Sequence, residues 1–263
     1  MQISGSTVLL TGASGGLGGA IARAIDARGG RLILSGTRLE ALETLAGELG
    51  ARALRADLSV REDVLRLAAE AGDVDILIAN AALPAAAPLT HLSVDEVDRA
   101  LDVNLRAPAV LAHSLLPGMI SRRRGHLVFV SSTGGRAAAP GNPLYHATKF
   151  GLRGLAGGLR IDLRSSGVGV SCVLPGFIRQ AGLFAQSGAK LPFGVGTRSP
   201  EDVAAAVVRA IEQDRAEVDV SSLSLRGGAL LWALAPDLAA SIARRLGSEQ
   251  IASTFEHALR EKR

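Results

Sequence analysis

Short apolar runs alternate with longer amphipathic stretches along most of the chain. The runs Thr7–Leu10, Arg31–Ser35, Arg52–Arg55, Asp75–Ala79, His126–Ser131, Gly167–Leu174 and Glu217–Val220 predict strands. Between them, segments 17–28, 39–49, 60–71, 93–123, 145–165 and 200–213 repeat apolar residues at helical spacing. Strand and helix in regular alternation predict an α/β fold, a doubly wound, seven-stranded parallel sheet with helices on both faces. Such a sheet binds ligands beyond the carboxyl ends of its strands. After residue 221 the pattern changes: leucines and glycines, Trp232 and Pro236 lead into two short helices near 237–246 and 248–260.

Composition narrows the classes. With 263 residues, 48% of them hydrophobic and 21% charged, the chain can bury one substantial core but not two generous ones. Cys172 is the single cysteine, and the start, MQIS, runs into a strand without a signal-peptide core, so a cytoplasmic location is expected. No apolar stretch approaches the ~20 residues that span a bilayer. The net charge of +4 would allow a nucleic-acid partner, but aromatics are 3% of the chain and the basic residues are dispersed. Arg122–Arg124 closes a predicted helix, where cations suit the helix dipole. The five histidines lack metal-ligand spacing, so no metal site is expected.

The first strand runs into Gly12-Ala13-Ser14-Gly15-Gly16-Leu17-Gly18 and then into a helix. Glycines in that context permit a tight turn and let a pyrophosphate approach the backbone at the helix N-terminus, as in a Rossmann-type dinucleotide site. The second strand ends Ser35-Gly36-Thr37-Arg38, with no acid to hold a ribose 2′-hydroxyl. An acid would repel a 2′-phosphate; Arg38, helped by the Thr37 hydroxyl, would bind one, so NADP(H) is favoured over NAD(H). Asp57, after the third strand and followed by Leu58, could accept from an adenine amino group or cap a helix. Asn80, with Ala81 and Ala82, follows the fourth strand and leaves room for a flat cofactor.

Tyr145 is the only tyrosine, and it precedes Lys149, one of three lysines, by four residues. On a helix this spacing sets an ammonium about 5–6 Å from a phenol, where the cation favours the phenolate and makes the tyrosine a usable acid. Asn104 stands four residues before Pro108, which has no amide hydrogen, so the carbonyl of Asn104 is expected to lack its helical donor and to be open to a water.

These residues resemble the short-chain dehydrogenase/reductases, in their single-domain branch with a C-terminal extension. The matching elements run in order: TGASGGLG at 11–18, Asp57, NAA at 80–82, Asn104, Ser132 thirteen residues before Tyr145, Lys149 in YHATK, and Pro175-Gly176 followed by Ile178. The resemblance implies a catalytic tetrad of Asn104, Ser132, Tyr145 and Lys149. Ser132 would polarise a substrate oxygen, Tyr145 would exchange the proton, Lys149 would lower the tyrosine pKa and bind the nicotinamide ribose, and Asn104 would hold relay water. It implies cofactor contacts along Gly12, Ser14–Gly18, Thr37, Arg38, Asp57, Leu58, Asn80, Ala81, Tyr145, Lys149, Pro175, Gly176 and Ile178. Ala82 and Gln180 depart from the family, which usually has glycine and threonine there, and Gly15 lacks the basic residue of many NADP-preferring members.

Residues 177–196 form a glycine-spotted candidate lid carrying Phe177, Leu183, Phe184, Leu191 and Phe193, which points to a medium-sized apolar ketone or alcohol; Arg179 and Lys190 could serve one anionic group. Residues 1–221 are expected to form the dinucleotide-binding and catalytic domain, and 222–263 an extension packed on it or on a partner subunit. Cleft cover or a dimer face is favoured for the extension; peripheral membrane contact is allowed but not favoured. A homodimer or homotetramer is expected, with no nucleic-acid partner. The reading is an NADP(H)-dependent oxidoreductase; the alternative is a catalytically silent NADP(H)-sensing protein.

Overall fold

The computed structural model describes residues 1–85, 87–187, 191 and 195–260. Its strands are β1 (Thr7–Thr11), β2 (Arg31–Gly36), β3 (Arg52–Arg55), β4 (Ile76–Ala79), β5 (Gly125–Val130), β6 (Val168–Pro175) and β7 (Glu217–Val220). All pair in parallel, in the order β3-β2-β1-β4-β5-β6-β7. The inner strands read as unbroken apolar runs because both faces are covered. Val8, Leu10, Ile76, Ile78, Val128 and Val130 face one core, while Leu9, Leu77, Leu127 and Phe129 face the other.

The first core is closed by α1 (Gly16–Asp26), α2 (Leu39–Leu49) and α8 (Pro200–Glu212). The second is closed by α3 (Arg61–Ala71), α5 (Ala107–Ser121) and α6 (Pro143–Asp162), with α4 (Val94–Leu101) leading into α5. Chain order reverses between β1 and β4, and this switch opens a crevice at the carboxyl ends of the strands.

Three segments differ from expectation. The stretch 93–123 is helical but not uniformly α: a π turn over Asp102–Arg106 joins α4 to α5, with Ala107 N–H donating to the carbonyl of Asp102. The wider turn brings Pro108 into the first turn of α5, where its missing N–H costs little. The lid contains a short helix, α7 (Gly182–Ser187); Lys190 and Phe193 lie outside the described residues. The glycine-containing stretch after β7 is itself a helix, α9 (Leu223–Leu234), followed by α10 (Pro236–Arg245) and α11 (Ser248–Arg260). Helix α9 forms despite Gly227 and Gly228 because Ser222 caps it, accepting from Leu225 N–H, and Trp232 packs on Phe150 of α6 with ring centroids 5.5 Å apart.

Candidate active site

A cavity of about 1510 Å³ runs from the glycine loop, past the ends of β4, β5 and β6, to the inner faces of α9, α10 and α11. Single-ligand pockets usually hold about 300–1,000 Å³, so this one has room for a dinucleotide and a substrate together.

Its cofactor end is shaped by backbone. Gly12 has φ +68°, and a Cβ there would lie 2.8 Å from the Cα of Ala81. At Gly18 a Cβ would lie 2.1 Å from the carbonyl oxygen of Gly12. The N-cap of α1 is Gly15, with no side-chain cap, and Gly15, Gly16, Leu17 and Gly18 line the cavity. Free helix amides beside a floor without side chains make an anion cradle. Asn80 stitches this floor to β4: its Nδ2 donates to the carbonyls of Thr11 at 3.0 Å and Gly12 at 3.3 Å, and Thr11 Oγ1 accepts from the amides of Asn80 and Ala81. The Oδ1 of Asn80 is buried without a hydrogen-bond partner among the described residues.

Arg38 N-caps α2 and donates to the carbonyl of Ser14, which fixes its guanidinium at the rim of the glycine loop. Thr37, Asp57, Leu58 and Ala81 line the same end. Asp57 does not cap α3, whose N-cap is Val60. Its carboxylate instead accepts from the hydroxyl of Ser59 at 2.7 Å and the amide of Ser59 at 3.0 Å, bonds that hold its pKa below the ordinary value. Cradle and guanidinium fit a dinucleotide phosphate; an adenine amine at Asp57 would have to share its carboxylate with Ser59.

The chemistry-bearing residues meet where β5 ends. Ser132 follows the strand and caps the 3₁₀ turn Thr133–Gly135, its hydroxyl accepting from Gly134 N–H at 3.0 Å and donating to Pro175 at a long 3.4 Å. Tyr145 and Lys149 stand one turn apart on α6, with Nζ 5.7 Å from the ring centroid, as the four-residue spacing requires. Burial lowers the Lys149 pKa to about 8, and Nζ donates to the carbonyl of Val130 at 3.1 Å.

The effect of the lysine on the tyrosine differs from expectation. Burial raises the Tyr145 pKa, and the Ser132 hydroxyl, rather than Lys149, is the group that opposes the rise. The ammonium lies over the ring and donates to the carbonyl of Val130, so burial dominates at the phenol.

Asn104 is fully buried and is not among the cavity-lining residues. Its Oδ1 accepts from Leu83 N–H at 2.7 Å, and its Nδ2 donates to the carbonyl of Leu83 at 3.0 Å and to Thr148 Oγ1 at 3.3 Å; Thr148 in turn donates to the carbonyl of Tyr145. The side chain thus locks the loop after β4 to the turn of α6 that carries the pair. Ser131 does similar work, donating to the carbonyl of Lys149 at 2.9 Å.

Beyond β6, Pro175, Gly176 and Ile178 line the cavity, and Ile178 bridges to Arg198. Ala82 keeps an ordinary backbone, so the missing glycine is tolerated. Gln180 adopts φ +68°, is exposed and lines a separate groove between α1 and α8, so its side chain does not replace the threonine of the family pattern; Ala181 faces the cavity instead.

Two features escaped sequence reasoning. His146 is neutral: its Nε2 accepts from Ala139 N–H at 3.0 Å, so Nδ1–H donates to the carbonyl of Gly134 at 2.9 Å, stapling loop 133–139 to α6. Arg136, on the Ser132 loop, pairs with Glu217 and, at 2.9 Å, with Asp219 of β7. Arg153 of α6 joins Glu217 at 2.5 Å, and Arg226 of α9 joins Asp219 at 3.3 Å. Residues so far apart in the chain leave no periodic signal; the adjacency of His146 to Tyr145 was the one available hint.

Comparison with known proteins agrees with this geometry. A family profile described as short chain dehydrogenase matches residues 6–191. Nodulation protein G of Rhizobium meliloti is 39% identical over 186 residues, covering 68% of this chain and 76% of that protein. The 3-oxoacyl-[acyl-carrier-protein] reductase FabG of Rickettsia felis is 31% identical over 243 residues, 88% of this chain and 99% of that one. The solved structure of a short-chain dehydrogenase from Sphingobium yanoikuyae in complex with NADPH superposes with a TM-score of 0.73 at 28% identity, covering 81% of this chain and 85% of that one. The chain belongs to the short-chain dehydrogenase/reductase family, NAD(P)-dependent oxidoreductases acting on CH–OH groups. Among the described residues no helix is long and apolar enough to cross a membrane.

Proposed function

We propose that the protein is an NADP(H)-dependent ketoreductase or alcohol dehydrogenase acting on a medium-sized apolar substrate, with Tyr145 as its general acid/base. The observation that carries this reading is the buried Tyr145 phenol beside the Ser132 hydroxyl, in one cavity with the glycine cradle and Arg38. When bound, the nicotinamide cofactor supplies or receives the hydride.

The chain's own residues do the rest. Ser132 exchanges its long bond to Pro175 for one to the substrate carbonyl oxygen, where charge develops. Tyr145 delivers its proton to that oxygen. Lys149, with its pKa lowered to about 8, can return a proton to the resulting phenolate, which the Ser132 hydroxyl favours. Asn104 and Thr148 hold the helix turn on which both stand.

Arg38, at the loop rim, supports NADPH over NADH, and the NADPH complex of the Sphingobium relative is consistent with that preference. The apolar class of substrate follows from Phe177 and Phe184, whose centroids lie 5.3 Å apart, and from Leu225, Ala229, Trp232 and Ile251 across the cavity. A homodimer or homotetramer is the expected assembly, measurable by sedimentation.

The test is turnover of a ketone and alcohol panel, followed by nicotinamide absorbance, for wild type and Tyr145→Phe. Unchanged turnover in the variant would overturn the mechanism; NADPH binding with no turnover of any substrate would favour the sensing protein.

A further inference from the structure

One carboxylate joins two walls of the substrate end. Asp219, on β7, has a side chain only 11% exposed, and its Oδ2 accepts from Nη1 of Arg136 at 2.9 Å. Its Oδ1 accepts from the hydroxyl of Ser221 and faces Nε of Arg226 at 3.3 Å, while its backbone carbonyl accepts from Nη2 of the same arginine at 2.9 Å.

Each arginine belongs to a different wall. Arg136 closes the 3₁₀ turn that Ser132 caps, its amide donating to the carbonyl of Thr133. Arg226 stands on α9 next to Leu225, which lines the cavity. Between the walls lies Gly176, where a Cβ would be 2.9 Å from the Cβ of Ser221 and 3.2 Å from Cδ1 of Leu225. A carboxylate this little exposed is costly to leave half paired, so loop and helix are held as a unit. Neither Asp219 nor the two arginines line the cavity, and they reach a substrate only through what they hold.

We infer that Asp219 is a positioning residue that sets the gap between Ser132 and α9, and through it the size of the ketone substituent accepted beside the carbonyl carbon. The inference rests on the oxidoreductase reading for the group that Ser132 meets. One methylene more or less in a fitted apolar pocket is worth about 10–200-fold, so a gap held by ion pairs is a length gauge.

A series of methyl ketones lengthened one carbon at a time, tested on the full-length protein, reads the gauge. Turnover gives kcat and KM; quenching of Trp232, the only tryptophan and a cavity-lining residue of α9, gives ketone affinity of the NADP⁺ complex without turnover. Asp219→Asn, which keeps an acceptor for Ser221 and loses both ion pairs, should flatten the length preference by about tenfold in both readouts. Arg226→Gln, which frees α9 alone, should raise KM more than it lowers kcat. Arg136→Gln, which frees the Ser132 loop alone, should lower kcat by about tenfold with ketone affinity little changed, and Arg136→Lys should recover most of that loss. Arg226 is 44% exposed, so its variant decides the matter should Asp219→Asn not fold. An unchanged length preference in these variants overturns the inference, as does a lower melting temperature with kcat and affinity reduced by one factor for every ketone. A preference flattened in binding, with no turnover by the wild type, would refute the oxidoreductase reading and leave the gauge standing.

Discussion

The two ends of the cavity are built on opposite plans. At the cofactor end the wall is backbone, drawn so close that Gly18 has no room for a methyl group. At the substrate end the wall is side chains on helices α9–α11, and at Gly227 a Cβ would meet nothing within 4 Å among the described residues. The shape of the first end follows from steric exclusion, and that of the second from apolar side chains with open space beside them.

That contrast can be broken or sharpened by measurement. The largest effect is expected where the two ends meet: Tyr145→Phe should lower kcat by about 10²–10⁴-fold while NADPH affinity, measured by fluorescence titration, stays near wild type. A large loss of affinity would mean that the phenol belongs to the cofactor end.

The sheet between the two ends supplies a pH test. Burial holds His126 neutral with its pKa lowered from 6.5 to about 4. Below pH 6.5 the unfolded chain binds a proton that the folded one refuses, so stability falls as pH drops and the contribution is lost by about pH 4. This amounts to about 3 kcal/mol in urea titrations, and His126→Gln should flatten the dependence.

At the cofactor end Gly18→Ala should destabilise the fold by roughly 2–3 kcal/mol and weaken NADPH binding, because the methyl group must push the Gly12 carbonyl away. Arg38→Ala should weaken NADPH by about 10–100-fold and NADH hardly at all, and equal losses would remove the argument for a 2′-phosphate contact. The smallest effect should have the opposite sign: Gly227→Ala, in the open interior of α9, should stabilise by about 0.5–1 kcal/mol and raise the melting temperature.

Much of this was legible in the chain itself. The runs at 7–10, 31–35 and 126–131 were readable as strands because strands buried on both faces need unbroken apolar residues. The glycine loop and the pair Tyr145 and Lys149 were readable because each is a local spacing with a local geometric consequence. Helix α9 was not, since Gly227 and Gly228 argue against a helix until Ser222 and Phe150 are placed beside it. The network of Arg136, Glu217, Asp219, Arg153 and Arg226 was invisible because its members span ninety residues of sequence.

By itself the sequence determined the order of strands and helices, the glycine-rich turn that opens α1 and the spacing that sets Tyr145 beside Lys149. These are consequences of periodicity, steric allowance and short-range spacing, which a chain carries wherever it folds. Tertiary structure decided the burial of Tyr145, the bracing work of Asn104 and the orientation of Gln180 away from the cavity. Each depends on desolvation or on contact between distant segments, and both arise only when the packed chain excludes water.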